Sequence, residues 1–265
     1  MDKKIILVRG GGDLASGVAV CLHEAGYSVV ITELAQPLVV RRKVSFAEAV
    51  YEGSCSVEGI TGRKADSVTQ ALDFLAAGEI AVLVDPDCEC LESLAPIVIV
   101  DGRMLKREVA NEFGEKWRVI GLGPGFAAGV NCWVAIETNR GPNLGKIFHE
   151  GSPDPDTGLP AIVMGFSRER VIYAHREGHF KAFVDIGDRV DAGQIIAEIE
   201  GEPINSQIKG VVRGILRNEL MVQPGFKVGD VDPTGERAVC FTVSDKARRI
   251  GAAVVETLKE MDTGV

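Results

Sequence analysis

The chain has 265 residues, 46% of them hydrophobic and 25% charged, a composition that supports a globular fold with a sizeable core and excludes a disordered polymer. With 29 basic against 38 acidic residues the formal charge is −9, which disfavours a nucleic-acid partner, because phosphate affinity needs clustered Lys and Arg. No run of about 18 apolar residues appears and Met-Asp-Lys-Lys leads straight into a strand, so no membrane partner or signal peptide is expected and the cytoplasm is the expected location.

The first predicted elements carry the most chemistry. Residues 5–9 read as a buried strand and Gly10, Gly11, Gly12 and Asp13 as a turn; Leu14, Val18 and Leu22, at helical spacing, mark a helix stopped at Gly26. Gly10, Gly12 and Ala15 fit the G-x-G-x-x-G/A pattern of dinucleotide sites, in which glycines let backbone N–H groups and a helix N-terminus approach a pyrophosphate. A second strand over 27–32 ends at Glu33, about 20 residues past the glycines, where a carboxylate can accept ribose hydroxyls. A bare turn packing helix on strand is the competing reading. Arg41 and Arg42 follow, placed either to grip a phosphate or carboxylate in bidentate fashion or to form a solvated basic loop.

The alternation continues with a helix near 45–51, a strand near 55–57, a helix over 66–77 between an Asp66 N-cap and a Gly78 C-cap, and strands over 80–84 and 97–100. Strands alternating with helices predict an α/β fold with a Rossmann-like parallel sheet. Glu33, Asp85 and Asp101, each directly after an apolar strand, are rim candidates. Beyond a strand over 117–122 lies a second glycine cluster, residues 121–129, in which Gly123 and Gly125 suit an anion nest. Pro124 removes a donor there and 132–136 reads as strand, so a structural turn is equally expected. The six cysteines show no repeated C-x-x-C spacing and read as reduced, mostly buried thiols; Cys88 and Cys90 favour a loop over a metal or sulfur site.

From about residue 165 short strands and glycine turns indicate a small all-β module. Residues 186–200 and 208–216 resemble a barrel-sandwich domain of the biotinyl or lipoyl hammerhead type. Pro203 falls about where such domains carry their modified lysine, so no covalent biotin or lipoate is expected. His175 and His179 have the spacing of zinc ligands on a helix, but the β texture favours a surface role, and no metal site is assigned. A strand over 238–243 precedes a helix capped by Ser244, whose stripe of Ala247, Ile250, Val254, Leu258 and Met261 is expected to pack back on the α/β domain. The expected organisation is 1–164 as a Rossmann-like nucleotide-binding domain, 165–237 as the hammerhead-like β domain, and 238–265 as the returning strand and helix.

Residues 9–17, Glu33, 41–50, 57–60 and 121–129, continued through 136–141, 156–160, 231–233 and 244–248, together resemble the selenium-dependent molybdenum hydroxylase maturation family over nearly the whole chain. That family is distantly similar to the xanthine dehydrogenase accessory factors. One departure is Pro142, where the family pattern has a histidine. The resemblance implies an accessory factor, with a molybdenum hydroxylase as client protein and no catalytic residue to transfer. The chain lacks the cysteine spacings of iron–sulfur clusters, so it is not the hydroxylase itself. The leading expectation is a maturation factor whose α/β domain binds a nucleotide ligand, NAD(P) or a molybdopterin dinucleotide. The expected contacts are Gly10, Gly11, Gly12, Asp13, Ala15, Glu33, Arg41, Arg42, Gly123 and Gly125. Two alternatives stay open. An NAD(P)-dependent oxidoreductase would use the same turn, with Glu33 disfavouring a 2′-phosphate and Arg41 or Arg42 favouring one. A non-catalytic interaction protein would use the glycines structurally. No nucleophile elbow, P-loop or Tyr-x-x-x-Lys pair identifies a catalytic group.

Overall fold

A computed structural model describes residues 4–263 and divides into two compact units. The first comprises Met1–Pro37, Ser45–Thr157 and Val243–Val265; the second comprises Leu38–Val44 and Gly158–Thr242.

The first unit is built on a nine-stranded sheet. Its elements in chain order are β1 (Ile5–Arg9), α1 (Asp13–Glu24), β2 (Ser28–Glu33), α2 (Ala49–Glu52), β3 (Ser54–Val57), β4 (Ile60–Ala65), α3 (Val68–Ala76), β5 (Ile80–Val84), α4 (Leu91–Leu94), β6 (Val98–Asp101), β7 (Val119–Leu122), β8 (Val134–Ile136) and β9 (Ile147–Phe148), with α5 (Asp245–Thr263) returning at the C-terminus. The strand order is β3-β4-β5-β2-β1-β6-β7-β8-β9. Strands β4 to β8 are mutually parallel. Ile6, Leu7, Val8, Val29, Val30 and Ile31 have no exposed surface, as expected where helices or loops cover both faces of a parallel sheet. From β1 the chain moves to β2 on one side and later to β6 on the other, so β1 and β6 flank the point where the winding reverses.

Two features correct the expected Rossmann-like parallel sheet joined to a barrel-sandwich hammerhead. First, the sheet is mixed: β3 runs antiparallel to β4 and β9 antiparallel to β8, one at each edge. The first hairpin turns on Glu58 and Gly59, both at positive φ (49° and 84°), the backbone of a tight two-residue hairpin loop. Second, the second unit contains two four-stranded antiparallel sheets. They are built from β10 (Val171–Tyr173), β11 (Gly178–Ala182), β12 (Arg189–Val190), β13 (Ile195–Ile199), β14 (Glu202–Asn205), β15 (Gly210–Ile215), β16 (Met221–Val222) and β17 (Lys227–Asp232), in the orders β10-β17-β15-β12 and β14-β13-β11-β16. Pro203 lies in β14 opposite Glu198.

Helix boundaries follow local chemistry. The α1 end is closed by backbone bonds from Gly26 N to His23 O (3.0 Å) and from Tyr27 N to Leu22 O (3.1 Å), a Schellman arrangement that satisfies two terminal carbonyls. Ser67, not Asp66, caps α3 by accepting from Gln70 N. Ser244 Oγ accepts from Ala247 N at the start of α5 (3.2 Å). Buried Ala247, Ile250, Val254 and Leu258 form that helix's inner stripe. The helices α1 and α5 lie side by side and parallel: a Cβ on Gly17 would come within 2.5 Å of the Ala247 Cβ, and one on Gly251 within 2.6 Å of Cys21 Sγ.

The strand expected over 238–243 does not form. Arg237–Cys240 is a 3-10 turn, and Arg41 Nη2 donates to the carbonyls of both Val239 and Thr242 (3.0 Å each). One guanidinium gathering two carbonyls onto one side is incompatible with the alternation of a strand ladder. Among the described residues no helix is long and apolar enough to cross a membrane.

Candidate anion-binding site

The carboxyl ends of β1, β2 and β6 assemble around the first glycine turn. Gly10 N donates to Thr32 O (2.8 Å) and Gly102 N to Arg9 O (3.0 Å), joining the turn to both neighbouring strand ends. Gly11 O accepts from Ser16 Oγ (2.8 Å), Ser45 Oγ (2.5 Å) and Ala47 N (3.0 Å), and a Cβ on Gly11 would press on the Ala47 backbone at 3.0 Å. Ala15 packs against Gly102, whose would-be Cβ meets the Ala15 Cβ at 2.8 Å; only small residues fit this crossing of helix and loop.

Gly12 differs. It is the N-cap of α1 in extended conformation (φ −69°, ψ 178°), no side chain caps it, and no atom lies within 4 Å of the position a Cβ would take. The first N–H groups of a helix have no intrahelical partner, and the peptide dipoles place positive charge there. Asp13 follows as the first helical residue.

Glu33, 9% exposed, accepts from Gly11 N through Oε1 (2.8 Å) and from Leu34 N through Oε2 (2.6 Å). Burial pushes its carboxyl above the ordinary value, against the two backbone donors that pull it down. The carboxylate therefore holds the glycine turn directly, a role the sequence spacing did not announce.

On the other side of the turn lies a charged cluster. Asp101, 2% exposed, holds the guanidinium of Arg103 through three hydrogen bonds, Nε to Oδ1 and Oδ2 (3.0 and 3.1 Å) and Nη2 to Oδ2 (2.7 Å). The Arg103 backbone sits 3.6 Å from where a Cβ on Gly10 would be. Arg9 bonds to Glu112, donates to Pro86 O (3.0 Å) and lies over the Phe113 ring at 5.2 Å. Arg9, Arg103 and Glu112 were not anticipated; an arginine two residues past an acid that ends a strand was the available signal.

The remaining expected residues have other duties. Arg41 and Arg42 belong to the second unit, where Arg41 bonds to the carbonyls named above and Arg42 to Ile215 O (2.8 Å) and Asp185 Oδ1 (3.0 Å). A Cβ on Gly123 would meet Thr138 Oγ1 at 2.5 Å, and one on Gly125 would meet Arg107 O at 1.8 Å, so that turn is packed shut. Asp85 accepts from Glu89 N and Cys90 N (2.9 Å each), capping the loop that carries the two close cysteines. Cys88 contacts Thr32 Oγ1 at 3.5 Å, and burial pushes both its thiol and that of Cys90 up, away from thiolate chemistry. His175 and His179 pair with Glu202 (3.1 Å) and Glu200 (3.0 Å), and His179 lies on β11, not on a helix. Among the described residues no group of three or more His, Cys, Asp or Glu is placed to hold a metal ion.

No family model matches the chain. It is 43% identical over 255 residues to the uncharacterized protein YqeB of Escherichia coli (strain K12), which covers 96% of this chain and 47% of the relative. The chain thus spans about half the length of the curated relative it matches. Among solved structures it is similar to an aspartoacylase family protein from Mesorhizobium loti, at 13% identity and a TM-score of 0.28, covering 87% of this chain and 85% of that one. It is also similar to a succinylglutamate desuccinylase from a Silicibacter species (12%, TM-score 0.25, 86% and 84% covered). A third is the ectoine utilization protein EutE from Ruegeria pomeroyi (14%, TM-score 0.24, 80% and 61% covered). Scores of this size carry no inference about activity. The names these solved structures carry are those of aspartoacylase, desuccinylase and ectoine utilization proteins rather than of a molybdenum hydroxylase accessory factor, and the expected maturation function, with the molybdenum and selenium chemistry it implied, is corrected and not carried forward.

Proposed function

We propose that the first unit binds a phosphate group of a nucleotide-type ligand at the carboxyl ends of β1 and β6. The observation that carries this reading is Gly12, an uncapped helix N-terminus with open space over it, in a turn whose other glycines are fixed by the surrounding backbone. Its position supports the same reading, because open α/β sheets hold ligands where the strand order reverses. The bulk field does not help. The first unit contains 26 acidic and 16 basic residues, against 12 and 13 in the second, so attraction for an anion has to be local. Backbone N–H groups supply it, together with Arg103, whose backbone lies beside Gly10 and whose guanidinium is held by Asp101. Glu33 fixes the turn and, as a buried acid at the end of β2, favours a ribose hydroxyl over a 2′-phosphate.

Calorimetric titration with inorganic pyrophosphate, ADP, NAD and NADP tests this. Pyrophosphate and ADP bind the wild-type protein, NAD binds more tightly than NADP, and Gly12→Asp weakens all four by at least ~10-fold, about 1.4 kcal/mol, while circular dichroism stays unchanged. A wild-type protein that binds none of them, or a variant with undiminished affinity, overturns the reading.

A further inference from the structure

Beside the glycine turn, across Glu33, the carboxyl ends of three parallel strands line a cavity of about 340 Å³ that is open to solvent on one side. Its walls are aliphatic: Ala65 from the end of β4, Leu83 and Val84 from the end of β5, Ala35 two residues past β2, and Val50 from α2. Lys64 and Asp66 complete the lining at its edge. The volume lies at the lower end of the range of small-molecule sites, which are typically about 300–1,000 Å³, mostly apolar, with a few polar groups that fix orientation.

Strand register ties this cavity to the glycine turn. Glu33 is the direct partner of Val84 in the β2–β5 pairing, and its Oε1 accepts the Gly11 N–H. A ligand phosphate over Gly12 and a sugar at Glu33 therefore bring the next group of a nucleotide to Val84. Two aliphatic side chains are exposed here, where parallel strand ends usually turn polar: Val84 is 39% exposed and Leu34, immediately after β2, is 52% exposed. Aliphatic walls suit the two faces of a flat heterocycle, whose edge then needs polar partners.

The edge has an available acceptor. The Asp66 side chain is 80% exposed, and its cation neighbour is Lys64 Nζ at 3.7 Å, beyond hydrogen-bond distance. Its backbone N–H is engaged by Gln70 Oε1 (2.7 Å), which fixes the residue without using the carboxylate. A carboxylate only accepts, so its complement on a base is an exocyclic amine.

We propose that this cavity takes the base of the nucleotide, an amino-bearing purine of the adenine class, with Val84, Ala35 and Val50 against its faces and Asp66 accepting from its amine. The proposal deepens the phosphate reading and rests on it for the placement of sugar and phosphate. Two variants test it on the full chain with four probes: adenosine, inosine, ADP and inorganic pyrophosphate. The wild-type protein binds ADP at least ~10-fold more tightly than pyrophosphate, and adenosine more tightly than inosine. Val84→Trp, which fills the cavity from its exposed rim, brings ADP down to the affinity of pyrophosphate and leaves pyrophosphate unchanged. Asp66→Asn, at an exposed position, narrows the preference for adenosine over inosine. Equal binding of ADP and pyrophosphate by the wild type, or undiminished ADP binding by Val84→Trp, overturns the base site and leaves the phosphate reading standing. Adenosine binding that Val84→Trp abolishes, in a protein indifferent to pyrophosphate, supports the base site and overturns the phosphate reading. Binding of none of the probes overturns both.

Discussion

The two glycine turns of the first unit look alike in sequence and have opposite fates in the structure. Both follow an apolar strand of the same sheet, and both place glycines two residues apart, Gly10 and Gly12 in one, Gly123 and Gly125 in the other. In the second turn the space is filled by protein. Gly123 faces Thr138, Gly125 faces the carbonyl of Arg107, and the amide of Asn131 donates to Gly125 O (2.9 Å) and Val109 O (2.6 Å) while its own oxygen accepts from Ala127 N (2.8 Å). In the first turn Gly11 presses on the Ala47 backbone and Gly10 is bonded to Thr32 O, but Gly12 opens on free space at the start of a twelve-residue helix. Glycine thus serves two purposes here, closeness to the protein's own backbone and closeness to something else.

The largest effect expected from breaking this contrast is at Gly125. Gly125→Ala puts a methyl group 1.8 Å from a backbone oxygen at φ +96°, and should cost about 3 kcal/mol or more of stability. Urea denaturation measures it; a variant of wild-type stability would mean the second turn has slack and its comparison with the first fails. Asn131→Ala comes next. It removes the side-chain donor of the buried Val109 carbonyl and the acceptor of the Ala127 amide, while Gly125 O keeps its bond from Val109 N, and should cost about 2 kcal/mol in the same assay, with nucleotide binding unchanged. Gly12→Asp is expected to shift stability by only about 0.5 kcal/mol, since an aspartate is a good N-cap and meets no atom there, while removing anion binding.

The finest distinction concerns the acid that holds the first turn. Burial raises the Glu33 carboxyl above its ordinary 4.5, so the charged form is disfavoured in the folded protein relative to the unfolded one. The stability contributed by the raised value is fully present below the unfolded pKa and is lost as pH rises through the folded one. Glu33→Gln removes that dependence. The stability difference between wild type and variant should therefore move in the variant's favour as pH is raised from about 4 to 7, by less than about 1.4 kcal/mol per unit of raised pKa. A difference flat across this window would show that the two backbone donors cancel the effect of burial.

Much of the first unit was legible because its signals are local. Apolar runs gave β1, β2, β5 and β6 within a residue or two, and the stripe from Ala247 to Leu258 gave the inner face of α5. The β3–β4 hairpin was only half seen. Gly62 and the charged Arg63 and Lys64 dilute the apolar signal of β4, yet Gly62 is needed there: a Cβ would lie 2.4 Å from the Phe46 ring. The segment 238–243 reads as a strand on composition alone and becomes a 3-10 turn through its bonds to Arg41, about 200 residues earlier in the chain.

For the site, the sequence by itself determined the glycine pattern, the helix that starts at it and the acid about 20 residues on, because each depends on backbone conformation within one β-α-β stretch. Tertiary structure decided everything that depends on which space is left empty. It closed the second glycine turn with Arg107 and Thr138, engaged Arg41 and Arg42 in the second unit, brought Arg103 and Asp101 beside Gly10, and left a cavity at Val84 one strand away from Glu33. The physical reason is that chain geometry sets where a backbone N–H can point, whereas only the packing of distant segments sets whether protein or ligand fills the space in front of it.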